Sequence, residues 1–166
     1  MRPVTTFVPS SRSPSRGGSS PSTPPNQRGH ERHDKYRILV VSGHLTERRQ
    51  WLSLLGERDF LISVADNGKE ALRAIQGGDL DLVIAAVMMP EMDGIELVRL
   101  ARTVGEPPPI IVVARGRGTP DHAFLRSAAL AGATATYTQP LSAQDFLAGI
   151  RTALALKRGP WTKPQD

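Results

Sequence analysis

From Tyr36 onward, the sequence alternates short apolar segments with longer amphipathic ones, and this alternation limits the possible folds more than any other feature. The apolar segments are rich in valine and isoleucine. Such segments are typical of strands that are buried on both faces of a parallel sheet. We predict strands at 37–41 (RILVV), 60–65 (FLISVA), 81–87 (DLVIAAV), 109–114 (PIIVVA) and 135–138 (ATYT).

The segments between these strands have helical spacing and clear start signals. Asn67–Glu70, Asp93–Glu96 and Ser142–Asp145 each place a small polar residue three positions before an acid, which is the capping-box pattern. Strict alternation of strands and helices predicts an α/β fold with a parallel sheet and helices on both of its faces. We predict helices at about 45–56, 68–77, 94–104, 120–131 and 142–157, the first with Leu45, Leu52 and Leu55 along one face.

The first 35 residues have a different composition from the rest of the chain. They are rich in serine, proline, glycine and arginine, as in SSRSPSRGGSSPSTPPNQRG. A segment with so few apolar side chains cannot offset the entropy lost on ordering. We therefore predict a disordered leader at 1–35, a folded domain at 36–158 and a short C-terminal tail at 159–166.

The positive charge of the chain is concentrated in the leader. Residues 1–35 contain six arginines and lysines against two acids, and so carry +4 of the formal net charge of +5. The basic balance therefore does not mark the folded part as a nucleic-acid binder. Weak, salt-sensitive binding of nucleic acid or an acidic partner by the leader stays open, and deleting residues 1–35 would abolish it.

Several classes of protein are excluded by what the sequence lacks. The chain has no cysteine, so disulfides and thiol chemistry are absent. No apolar run approaches the roughly 20 residues that span a bilayer. The first residues lack the apolar core of a secretory signal, so we expect a cytoplasmic location and no membrane partner.

The order of motifs after Tyr36 resembles that of one known family. RILVV, VADNGKEAL and DLVIAAVMMPEMDGIELVRLAR follow one another, and PPIIVVA and AGATATYTQP come after them. Residues 37–157 thereby resemble the receiver domain of two-component response regulators. The resemblance implies a doubly wound, flavodoxin-like fold with a five-stranded parallel sheet in the order 2-1-3-4-5 and a site at the carboxyl ends of its strands.

The resemblance also implies a set of chemical roles at that site. A working receiver takes a phosphoryl group onto an aspartate, with the help of Mg²⁺ held by acidic residues, a lysine and a hydroxyl group. Here each role falls on a residue without the required group. The acidic pair falls on Ser42 and Gly43, the phosphoacceptor on Ala86, the hydroxyl on Ala114 and the lysine on Gln139.

These residues cannot perform the phosphoryl transfer of the family. Alanine has no nucleophile, and Ser42 offers one neutral oxygen where Mg²⁺ prefers carboxylates. Asp81 lies about 16 Å from Ala86 along the strand, at its wrong end. Asp93 is explained as a helix N-cap, and His44 as a solvated loop residue. We therefore predict no catalytic residue, no metal, no cofactor and no enzymatic activity, and a fold stabilised without Mg²⁺ because fewer carboxylates repel one another.

The sequence predicts a pseudo-receiver, a stand-alone signalling domain that acts by phosphorylation-independent protein–protein interaction. The predicted partner is a histidine kinase, a regulator or an output protein, with a homodimer as a further option. In the family, helix four, strand five and helix five form the face that carries such contacts. The corresponding residues here are His122, Arg126, Tyr137 and Gln139, and the resemblance also implies a cis peptide bond before Pro140.

Two other functions stay open at the level of sequence. One is a phosphorelay response regulator with a non-standard acceptor, which labelling with a phosphodonor would reveal. The other is a small-molecule sensor, because doubly wound folds bind ligands in the crevice at the strand ends and this crevice is predicted to be less charged than usual. A thermal-shift screen with nucleotides would identify such a sensor.

Overall fold

Five parallel strands form the central sheet. The computed structural model describes residues 35–56, 59–116 and 120–158, so the predicted leader, apart from Lys35, and the predicted tail lie outside the described residues. The strand order is β2-β1-β3-β4-β5, and every neighbouring pair is parallel. The strands are β1 (Tyr36–Val41), β2 (Phe60–Ala65), β3 (Leu82–Ala86), β4 (Ile110–Ala114) and β5 (Ala135–Thr138). The predicted doubly wound fold and its strand order are confirmed.

One helix follows each strand. The helices are α1 (Leu45–Leu55), α2 (Gly68–Gln76), α3 (Gly94–Ala101), α4 (Pro120–Ala131) and α5 (Ala143–Arg158). Helix α3 ends three residues earlier than predicted, because Thr103 and Val104 donate their N–H groups to carbonyls three residues back and so form tighter turns. Across the described ranges, no helix combines the length and apolar character that crossing a membrane requires.

Residues of the central strands alternate between two apolar cores, one on each face of the sheet. Ile38, Ile84 and Ala86 lie in the core that also holds Trp51 of α1 and Phe146 of α5. Leu39, Ala85 and Ala114 lie in the other core, where α2, α3 and α4 cover the sheet. Ala86 therefore faces the side of the sheet on which α1 and α5 lie, so side chains from these helices are the ones that can approach it.

The two edge strands are less buried than predicted. All residues of β3 and β4 are buried, but Leu61 and Val64 of β2 are 46% and 42% exposed. No residue of β5 is fully buried. The apolar composition of the five segments predicted burial on both faces for all of them, but an edge strand has a neighbour on one side alone and is covered less completely.

The predicted helix starts are present, and each is capped by the polar residue that the pattern identified. Asn67 accepts a hydrogen bond from the N–H of Glu70 at 2.9 Å, and Asp93 accepts one from Glu96 at 2.8 Å. Ser142 caps α5 with a longer contact of 3.4 Å to Asp145. These caps satisfy N–H groups that have no partner within the helix.

The start of α3 is pressed against the end of β3. A Cβ atom on Gly94 would collide with the carbonyl oxygen of Ala86, so glycine is the residue that permits this contact. The N–H of Gly94 donates to the carbonyl of Val87 at 2.8 Å. The loop MMPEMDG is thus a structural connection that fixes the position of Ala86 at the end of its strand.

Candidate functional site

The residues predicted to form the pocket meet in a crevice at the carboxyl ends of the strands. Ala86 and Ala114 are the last residues of β3 and β4, Ser42 follows β1, and Gln139 follows β5. Two neighbouring cavities occupy this crevice. The first, of about 250 Å³, is lined by Glu47, Ala86, Val87, Met88, Val113, Ala114 and Arg115. The second, of about 400 Å³, is lined by His44, Leu45, Thr46, Glu47, Gln50, Arg115 and Gln139.

A buried acid that sequence reasoning missed, Glu47 of α1, lines both cavities. Glu47 is only 5% exposed. One carboxylate oxygen accepts a hydrogen bond of 2.6 Å from the Ser42 hydroxyl, and the other accepts one of 3.0 Å from the Gln139 amide. The Nε of Arg115 lies 3.8 Å from the same carboxylate. Hydrogen bonds to an ionised group are stronger than neutral ones, and here they compensate the burial of a charge.

The orientation of α1 explains why Glu47 was missed. The predicted apolar face is wrong for Leu45, which is 63% exposed. The buried residues of α1 are Glu47, Trp51 and Leu55, which recur every four positions and so share one helix face. An acid in line with a tryptophan and a leucine is the signal that could have identified Glu47 from the sequence.

Ser42 is fixed on all sides by its neighbours. It is fully buried, and its N–H donates to the carbonyl of Ala65 at 3.2 Å. Its carbonyl accepts a 2.6 Å hydrogen bond from Arg48, and its hydroxyl oxygen accepts one of 3.1 Å from the N–H of His44. The hydroxyl proton is thereby directed at Glu47. The adjacent Gly43 is exposed and lies against the ring of Pro90.

Three residues were considered as substitutes for the missing phosphoacceptor or ligands, and each lies where its structural role predicts. They are Asp81, Asp93 and His44. Asp81 is buried just before β3 and accepts a 2.8 Å hydrogen bond from the N–H of Arg37, at the opposite end of the strand from Ala86. Asp93 caps α3. His44 is exposed at the start of α1 and lines the larger cavity.

The crevice offers few ligands to a metal ion. The described residues contain no group of three or more His, Cys, Asp or Glu side chains that could hold one. Both oxygens of Glu47 already accept hydrogen bonds from Ser42 and Gln139. Mg²⁺ requires near-octahedral oxygen ligation that usually includes one or two carboxylates, so the residues present do not fit it.

The four residues predicted for an interaction face divide into two pairs. His122 and Arg126 are exposed on α4, and Leu130, 88% exposed, continues their stripe at the same spacing of four. Tyr137 is half-buried, with its ring edge-on to Phe146 at 5.6 Å. Gln139 directs its amide into the crevice toward Glu47. The exposed stripe of α4, defined as His122, Arg126 and Leu130, is an accessible part of this face.

The turn after β5 brings Gln139 to the crevice. Its N–H donates to the carbonyl of Ala114 at 2.8 Å, which ties the end of β5 to the end of β4. The peptide bond between Gln139 and Pro140 is cis, the isomer that the resemblance implied.

Comparisons with known proteins agree on one family. The family model described as "Response regulator receiver domain" matches residues 38–151. Response regulator MprA of Mycolicibacterium vanbaalenii is 34% identical over 119 residues, which are 71% of this chain and 50% of that protein. A probable transcriptional regulatory protein of Picosynechococcus sp. is 32% identical over 127 residues, covering 72% of this chain and 49% of its own length. The chain thus spans about half the length of these curated relatives.

Solved structures give the same picture. A response regulator receiver domain protein from Clostridium thermocellum is 26% identical, with a TM-score of 0.64, and the match covers 74% of this chain and 97% of that one. A two-component response regulator of the LuxR family from Aurantimonas sp. is 25% identical with a TM-score of 0.65, and 75% of this chain and 89% of that chain are covered.

Proposed function

This chain belongs to the response regulator receiver domain family, and from that membership we propose that it signals without being phosphorylated, by binding another protein. The observation that carries the proposal is Ala86. It is the last residue of β3, it is 3% exposed, and it lines the smaller cavity. The resemblance assigns the phosphoacceptor to this position, and a methyl group cannot form a bond to a phosphoryl group.

The other positions of the crevice support the same proposal. Ser42 and Gly43 supply no carboxylate, Ala114 supplies no hydroxyl, and Gln139 supplies an uncharged amide. We propose that the Mg²⁺ site and the phosphorylation site of the family are both lost. Glu47 does not replace the missing acceptor, because its two oxygens are occupied by Ser42 and Gln139 in a buried position.

The proposed partner is a second signalling protein: a histidine kinase, another regulator or an output protein. The exposed stripe of α4 offers it an exposed leucine, Leu130, next to an arginine and a histidine, a composition suited to a protein interface. A second copy of this chain is a further candidate for the same surface. Neither nucleic acid nor a membrane forms part of the proposal for the described residues.

Amide NMR spectra of the full chain test the proposal. Mg²⁺ is added first and then beryllofluoride, a mimic of the phosphoryl group, with a receiver domain that carries the aspartate as the positive control. The expected result is unmoved peaks for Ser42, Ala86 and Gln139. Localised, saturable shifts at these residues would contradict the proposal, and a stable phosphate after incubation with acetyl phosphate would identify a non-standard acceptor instead.

A second candidate function is supported by the two cavities. They adjoin at Glu47 and Arg115. The smaller cavity also has alanine, valine and methionine on its walls, which suits a small ligand with a polar end. A thermal-shift screen of nucleotides against the full chain separates this sensor function from the first proposal. A saturable rise in melting temperature supports the sensor, and binding of a protein partner in the absence of any ligand supports the first.

A further inference from the structure

A single carboxylate joins three loops across the crevice. Glu47 lies in the first turn of α1, and its partners follow three different strands: Ser42 follows β1, Arg115 follows β4 and Gln139 follows β5. These loops, with the end of β3 between them, are the walls of the crevice. Glu47 therefore lies at the centre of the site, although it is a helix residue and not part of a strand or of a loop that directly follows one.

The contacts of Glu47 match those of a bound anion. Its oxygens accept hydrogen bonds from a hydroxyl group and from an amide, and a guanidinium group lies near them. Gln139 stands where the resemblance places the lysine that pairs with the phosphoryl group. Glu47 also lines the same cavity of about 250 Å³ as Ala86. The negative charge of Glu47 thus lies near Ala86, the position to which the resemblance assigns the phosphoryl group.

We propose that Glu47 is the resident anion of this crevice, taking the place of a phosphoryl group and holding the loops after β4 and β5 in one arrangement without modification. The inference rests on the proposed function and adds its regulation. The occupant is a carboxylate from the protein itself, so the arrangement is permanent.

Contacts between the two loops extend the effect of Glu47 to Gly116. Gly116 has a positive φ of 75°, and a Cβ atom there would collide with the carbonyl oxygen of Gln139. The N–H of Gln139 donates to Ala114 at 2.8 Å. Because Arg115 and Gln139 also contact Glu47, the described residues after β4, Arg115 and Gly116, are held against the loop after β5.

The substitution Glu47→Gln tests the proposal in the full chain. An amide of the same shape has an acceptor oxygen on one side and a donor NH₂ group on the other, so it can accept from Ser42 or from Gln139 but not from both. Amide hydrogen exchange should therefore accelerate at least about tenfold for Gln139, and the amide peaks of Arg115 and Gly116 should shift. Glu106→Gln removes an exposed carboxylate outside the crevice and serves as the matched control, for which no change is expected there. Unchanged exchange and peaks in Glu47→Gln would overturn the proposal.

A second pair of variants answers the case in which Glu47→Gln does not fold. Ala86→Asp adds a second negative charge to the cavity, whereas Ala86→Asn adds the same volume without charge. Repulsion from Glu47 should lower the melting temperature of Ala86→Asp by about 4–8 °C more than that of Ala86→Asn. Equal melting temperatures for the two variants would overturn the proposal.

The outcomes separate this inference from the proposed function. Neither experiment uses a phosphodonor or a partner, so a negative result removes the role of Glu47 and leaves phosphorylation-independent signalling intact. Saturable binding of beryllofluoride to the wild-type chain would remove the proposed function, whatever the behaviour of the Glu47→Gln variant.

Discussion

The hydroxyl group of Ser42 makes the shortest hydrogen bond to the buried carboxylate of Glu47. It donates to Glu47 at 2.6 Å from a fully buried position. Without it, one oxygen of an ionised carboxylate would lose its partner while still excluded from water. Hydrogen bonds to charged groups contribute more than neutral ones, and leaving a buried group unsatisfied adds its desolvation cost.

We predict that Ser42→Ala lowers the free energy of unfolding by about 1.5–3 kcal/mol. Urea titration followed by circular dichroism measures this change. Ser63→Ala, which removes an exposed hydroxyl from β2, is the matched control and should change the stability by less than about 0.5 kcal/mol. Equal effects of the two substitutions would show that the contact to Glu47 contributes nothing.

At the scale of elements, the sequence predicted the central strands and the helix caps because both depend on neighbours in the chain. Period and composition identify β1, β3 and β4, and the spacing of Asp93 and Glu96 identifies the start of α3. The rotation of α1 about its axis depends on tertiary packing. Leu55 lies on its buried face as expected, but Leu45 is exposed, and Trp51 and Glu47 form the rest of that face.

The start of α3 supplies a prediction about its cap. Asp93→Ala removes the acceptor for the N–H of Glu96 and should cost about 0.5–2 kcal/mol of stability. Asp93→Asn keeps an oxygen that can accept the same hydrogen bond, so it should cost less than half as much. Thermal unfolding of both variants measures the difference. If the asparagine variant is as unstable as the alanine variant, the carboxylate has a role beyond capping.

At the scale of the whole molecule, the fold could be predicted, but the contacts that Glu47 makes at the centre of the site could not. The five apolar segments and their order specify the doubly wound sheet, and so the residues that end each strand. The bond between Gln139 and Glu47 joins residues 92 positions apart. No local pattern encodes such a contact, since it exists only when the start of α1 and the end of β5 have both reached the crevice at the carboxyl ends of the strands.

The stability of the whole molecule should be independent of Mg²⁺. The acid in the crevice is already paired, and we propose that the Mg²⁺ site of the family is lost, so a divalent ion should not stabilise the native state by occupying this crevice. We expect millimolar MgCl₂ to shift the melting temperature of the full chain by less than about 1 °C relative to NaCl of equal ionic strength. A saturable rise of several degrees would show that the crevice binds the ion after all.

Because Glu47 is a residue of α1, its carboxylate is covalently held in the crevice, and this limits how the signalling of the protein could be controlled. A group that is covalently part of the protein has a high effective concentration at its binding site, in the millimolar range even for short flexible linkers. A free anion must therefore compete with the carboxylate of Glu47, which cannot dissociate from the protein. Under the proposed function, no phosphoryl group on this chain would mark a recent stimulus. Occupancy of a partner would then follow mass action with the concentration of the chain, and the signal would be controlled by synthesis and degradation.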